Sequence, residues 1–126
     1  MSMQPDVVAI VDDNVYVLGG LGRVLSSHGY RVYMFTSAER YLESADASTA
    51  SCAVIDIDLR GEMSGLDLGR AIMSSERAIP IIFMSGSPHT VIRKQALDIG
   101  CVAFLEKPFP SELLITAILK SGASAA

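Results

Sequence analysis

The chain has 126 residues, 50% of them hydrophobic, which suits one compact domain with its own core and excludes a disordered chain. A formal net charge of -4 and a pI near 5.0 argue against nucleic-acid binding by this domain. No apolar run is long enough to span a bilayer, and MSMQPDVV lacks the basic flank and apolar stretch of a signal peptide.

In chain order, the first apolar run, Val7–Val11, reads as a buried strand that ends in Asp12-Asp13. A helical pattern follows over about Asn14–His28, with Gly29 where a helix-terminating residue belongs. Val32–Phe35 lies in RVYMF, whose alternation suits an edge strand, and Ser37 can cap a helix over Ala38–Ser44. The third strand, Ala53–Ile57, is apolar apart from Asp56, with Asp58 two residues on. Burying such a carboxylate is costly unless something pairs with it. A helix over Leu66–Ser75 comes next. Pro80 precedes a fourth strand, Ile81–Met84, which runs into Ser85-Gly86. Pro88 suits the first turn of a helix over Pro88–Ile99, with Ser87 capping or flanking it and Gly100 closing it. The last strand, Val102–Leu105, leads to Lys107-Pro108 and a helix over Ser111–Ser121.

Five β–α repeats imply a doubly wound α/β domain: a parallel sheet with five helices on its two faces and right-handed crossovers. Central strands should be apolar throughout, which places the first, third and fourth inside and favours the order 2-1-3-4-5. One domain is expected over residues 1–126, with a core over about 7–121 and a short flexible tail, GASAA. Cys52 and Cys101 sit in apolar runs and read as core thiols in a reducing cytosol, so a cytoplasmic protein is expected. Met34, Met73 and Met84 are expected to fill the core, and His28 and His89 to lie on the surface.

In such a sheet, ligands bind outside the carboxyl ends of the strands, where the strand order reverses. Those ends carry Asp12, Asp13, Asp56, Ser85 and Lys107. Three carboxylates on one rim repel each other unless a cation joins them. A hard cation with oxygen ligands, Mg²⁺ above all, resolves this and shares its site readily with a phosphoryl group. The lysine and the hydroxyl then read as donors to phosphoryl oxygens.

Four motifs now stand in order: VDD at Val11–Asp13, DIDL…MSG at Asp56–Gly65, MSG at Met84–Gly86 and FLEKPF at Phe104–Phe109. With them the chain resembles, from about Val7 to Leu119, the receiver domain of response regulators, the partners of sensor histidine kinases. The flavour is similar to the receivers of nitrogen-fixation-type transcriptional regulators. The resemblance implies a chemotaxis-regulator-like fold with Asp56 as phosphoacceptor. It implies Mg²⁺ held by Asp12, Asp13, Asp56 and the backbone carbonyl of Asp58. Lys107 would contact Asp56 or its phosphoryl group, Ser85 would supply the signalling hydroxyl, and Phe104 would be the aromatic switch residue. The implied donor is a histidine kinase or a histidine phosphotransfer protein, and the only chemistry is self-phosphorylation and slow self-dephosphorylation. Two features depart from the family: Arg60 stands where proline is usual, and the RGEM segment carries one extra residue.

Two other readings compete. Some receiver-like domains act as phosphorylation-independent interaction modules. The DID segment also fits the DxD start of haloacid-dehalogenase-type phosphatases, but those place it on the first strand and carry Thr or Val where Arg60 stands. GGLG at Gly19–Gly22 falls inside a helix and is no phosphate loop. On the last helix, Leu114, Ala117 and Ile118 can cover the sheet, while Leu113, Ile115 and Leu119 widen the apolar stripe beyond one buried face. A self-association or output surface is therefore expected there.

Overall fold

Alternate residues of a strand face opposite sides of a sheet, and that rule divides the apolar sequence into two cores. The computed structural model describes residues 6–125. Its strands are β1 (Val7–Val11), β2 (Arg31–Phe35), β3 (Cys52–Asp56), β4 (Ile81–Ser85) and β5 (Ala103–Glu106). They form one parallel sheet in the order β2-β1-β3-β4-β5. The helices are α1 (Val15–Ser27), α2 (Ala38–Glu43), α3 (Gly65–Ser74), α4 (Thr90–Ile99) and α5 (Ser111–Lys120). Val8, Ile10, Val54, Ile82 and Met84 pack with Leu18 and Leu25 of α1 and Leu114, Ala117 and Ile118 of α5. Ala9, Val11, Ala53, Ile55 and Phe83 face the other way, toward α2, α3 and α4 through Tyr41, Leu68, Ile72 and Ala96. This is the expected doubly wound fold. β1, β3 and β4 are buried along their whole length, while β2 is largely open at one edge. Among the described residues, no helix is long and apolar enough to cross a membrane.

The differences from the sequence reading are local. β3 runs one residue earlier than expected at both ends: Cys52 already pairs with Val8 of β1, and at the other end the Asp56 side chain accepts the Asp58 N–H and turns the chain. A short 3₁₀ turn at Asp46–Thr49 precedes it. α4 begins at Thr90, and His89 before it is extended, so Pro88 lies outside the helix. Ser87 instead donates its N–H to the Ser85 Oγ (3.1 Å). Met84 is in the core, but Met34 and Met73 are 51% and 40% exposed, so helical and strand periodicity misplaced both. Ala123 and Ser124, in the expected tail, lie against the start of β1. The Asp6 N–H donates to the Ser124 carbonyl (2.8 Å), and the Ser124 N–H donates to Asp6 Oδ2 (2.7 Å).

Candidate functional site: an acidic pocket at the strand ends

The order of the sheet reverses between β1 and β3, and there the chains of both strands turn away in opposite directions. Asp12 follows β1 and Asp56 ends β3, so register alone brings them to one rim. Asp12 also starts α1: its Oδ1 accepts the Asn14 N–H (2.8 Å), and Asn14 caps the helix by accepting from Tyr16 and Val17. Ser85 ends β4, and the Lys107 N–H donates to the Ser85 carbonyl (2.8 Å), which fixes the residue just beyond β5 beside it. The Lys107–Pro108 peptide is cis.

Side chains then converge. Asp12 and Asp56 are buried, and Lys107 Nζ lies between them, donating to Asp12 Oδ2 at 2.7 Å and to Asp56 Oδ2 at 3.2 Å. Carboxylate oxygens of Asp12, Asp13 and Asp56 all lie within 4.8 Å of one another. Burial pushes the Asp56 carboxyl above its ordinary 3.8; the Asp58 N–H opposes this, the Asp12 charge adds to it, and Lys107 opposes it again. Burial alone would lower Lys107, but its hydrogen bond to Asp12 and the charges of Asp56 and Asp12 outweigh that and raise it above 10.5. One ammonium against three carboxylates leaves an excess of negative charge and a clustered set of hard oxygen donors, which fits a small divalent cation such as Mg²⁺.

Every predicted site residue except Phe104 therefore lies on or beside this rim. Phe104 is half-buried on β5, beneath the Arg93 guanidinium of α4 at 4.7 Å from its ring centroid. Arg93 also approaches Glu106 Oε2 at 3.7 Å. Three features escaped the sequence reading. Arg60 donates its backbone N–H to Asp13 Oδ2 (3.2 Å), a bond that proline at this position lacks, and its Nε stands 3.7 Å from the same oxygen. The Asp58 side chain reaches across to β4, where Oδ2 accepts from Ser85 Oγ (3.2 Å) and from the Gly86 N–H (2.9 Å). Arg93 was not singled out at all. For Asp58 the only signal in the residues was an acid just past a strand end, and the family resemblance implied a role for its main-chain carbonyl rather than its carboxylate.

A doubly wound parallel sheet with an acid trio and a bridging lysine at its switch point defines a class of α/β domain built to gather charge at strand ends. Residues 8–119 match the family model of the response regulator receiver domain. The chain belongs to that family. It is 37% identical over 118 residues to the response regulator protein TmoT of Ectopseudomonas mendocina, covering 94% of this chain and 53% of that protein. The chain thus spans about half the length of the curated relatives it matches. A CheY-like receiver domain from Methanospirillum hungatei superposes with a TM-score of 0.84 at 23% identity, covering 92% of both chains. A response regulator from Burkholderia pseudomallei, crystallised with a phosphorylated aspartic acid, calcium ion and citrate, gives a TM-score of 0.79 at 27% identity, over 89% of this chain and 65% of that one.

Proposed function

We propose that this domain takes a phosphoryl group onto Asp56 from a histidine kinase or a histidine phosphotransfer protein and passes the signal on as a change of shape. The observation that carries this reading is the Lys107 ammonium, bridging Asp12 and Asp56 at the centre of the acid trio. It keeps Asp56 in place and offers a positive charge where a phosphoryl group would arrive. The phosphorylated aspartic acid of the Burkholderia relative supports it.

An Asp56 carboxylate oxygen attacks phosphorus in line. The new O–P bond forms as the P–N bond to the donor imidazole breaks, and the electron pair stays on that nitrogen, which takes up a proton. The carboxylates of Asp12, Asp13 and Asp56 with the Asp58 carbonyl would hold Mg²⁺, which supplies charge neutralisation as the phosphoryl group is transferred. Lys107 holds one side of the transferred group, and Ser85 offers its hydroxyl to a phosphoryl oxygen. Phe104 then follows Ser85 inward, which carries the change to β5 and α4. Water slowly attacks the aspartyl phosphate at phosphorus, the O–P bond to Asp56 breaks, and inorganic phosphate leaves as the carboxylate is restored. The exit surface is the outer face of α5, toward an output partner or a second copy. A cytoplasmic location goes with a kinase donor and with two free thiols, Cys52 buried and Cys101 half-buried.

The test is Mg²⁺-dependent labelling by a small phosphodonor such as acetyl phosphate, read by intact mass. Wild type gains one phosphoryl group and Asp56→Asn gains none. Equal labelling of the Asn variant, or an unlabelled wild type, overturns the assignment, and the latter outcome favours a phosphorylation-independent interaction module.

A further inference from the structure

Two donors beside the phosphoacceptor are already engaged. Ser85 Oγ–H and the Gly86 N–H both donate to one oxygen, Asp58 Oδ2, at 3.2 and 2.9 Å. The Ser87 N–H donates to the Ser85 Oγ (3.1 Å), which orients the hydroxyl and leaves its proton for Asp58. The same Asp58 donates its own N–H to Asp56 Oδ1 (2.9 Å). Asp58 is thus tied to Asp56 through its main chain and to the end of β4 through its side chain. We propose that the Asp58 carboxylate is a built-in stand-in for a phosphoryl group, a latch that holds Ser85 and Gly86 in the resting position. This inference rests on Asp56 being the phosphoacceptor.

The chemistry makes the two acceptors exclusive. A phosphoryl group on Asp56 presents anionic oxygens to the same rim, and two anions at such short range repel. Each donor has one proton, so Ser85 and Gly86 serve either the carboxylate or the phosphoryl oxygens. Phosphorylation must therefore expel the Asp58 side chain, which is free to swing out because the residue is exposed. The resting state is stabilised by two charge-assisted hydrogen bonds, and the affinity for a phosphoryl group is lowered by what they contribute. Asp58 is in this sense a positioning residue, acting through Ser85 and Gly86.

The test titrates beryllofluoride, a phosphoryl analogue, into the full chain with Mg²⁺, and follows the Gly86 amide by NMR in wild type, Asp58→Asn and Asp58→Ala. Without the analogue, the Gly86 amide resonance shifts in Asp58→Ala, because its charged acceptor is gone. With it, Asp58→Ala binds about tenfold more tightly than wild type, and Asp58→Asn, which keeps an acceptor but no charge, falls between. Wild-type affinity in Asp58→Ala, or a Gly86 amide indifferent to residue 58, overturns the latch and leaves the phosphoacceptor assignment standing. Failure of wild type to bind the analogue, together with no labelling of Asp56, overturns both.

Discussion

A buried carboxylate held above its ordinary value is a charge the folded protein would shed if it could. For Asp56, burial is the first cause and the Asp12 charge adds to it, against the Asp58 N–H and Lys107. The sign follows from proton binding. Between the ordinary value of 3.8 and its higher folded value, Asp56 holds more proton in the folded than in the unfolded chain. Stability therefore falls as pH rises through that window, and the ionised side chain is a net cost at neutral pH. Asp56→Asn removes that cost while Lys107 keeps its 2.7 Å partner in Asp12. In a chelating buffer, Asp56→Asn should melt above wild type at neutral pH, with the gap closing as pH falls toward 3.8. Thermal melts across that range check it, and a gap independent of pH refutes it. The positions of Asp12, Asp13, Asp56, Ser85 and Lys107 could be read from the sequence because each is the polar residue that interrupts or follows an apolar run. The reach of the Asp58 carboxylate and the Arg60 N–H could not, since both are loop contacts that span other elements.

At the scale of elements, glycines separate into those that need to be glycine and those that do not. Gly65 opens α3 directly against the end of β3, and a Cβ there would collide with the Asp56 carbonyl and the Ile57 backbone. Gly65→Ala should destabilise the fold by about 1–3 kcal/mol through overpacking and displace the end of β3 that carries Asp56. In α1, a Cβ on Gly19 or Gly20 would meet no atom within 4 Å, so neither glycine is required by packing. Each Ala substitution there should stabilise by about 0.8–1 kcal/mol from helix propensity. Chemical denaturation of the three variants settles both signs. A neutral Gly65→Ala, or a destabilising Gly19→Ala, would show that α3 or α1 is packed otherwise. The helices were legible from periodicity and caps, as at Ser37, whose side chain accepts the Arg40 N–H. The start of α4 was not: the helix begins at Thr90 after an extended His89, two residues later than Pro88, which as a usual first-turn residue had pointed to the earlier start.

At the scale of the whole molecule, the proposed exit for a signal is the outer face of α5. Leu114, Ala117 and Ile118 are buried against the sheet, as their spacing predicts, while Leu113 and Leu119 are 50% and 59% exposed. Ile115 is half-buried against the core, so a charge there would test folding as much as contact. Leu113→Glu and Leu119→Glu are the cleaner probes of an exit surface on α5. With phosphorylation, wild type should self-associate or engage an output partner, and both variants should do so less. Light scattering of phosphorylated and unmodified protein, beside a kinase-coupled output assay, measures this. Monomers in every state, with an output that tolerates both charges, would place the exit elsewhere.

By itself the sequence determined the sheet order, the burial of three strands and the convergence of acid, hydroxyl and amine on one rim. Those follow from the period of apolar residues and from the rule that parallel strands end together, both of which are local or topological. Only the tertiary structure decided which donor meets which acceptor: Lys107 between Asp12 and Asp56, Asp58 on Ser85 and Gly86, Arg93 over Phe104. Such pairings depend on placing atoms to within a few tenths of an ångström, between residues as much as 95 positions apart. Periodicity carries no such information, because a hydrogen bond is selected by geometry in the packed state.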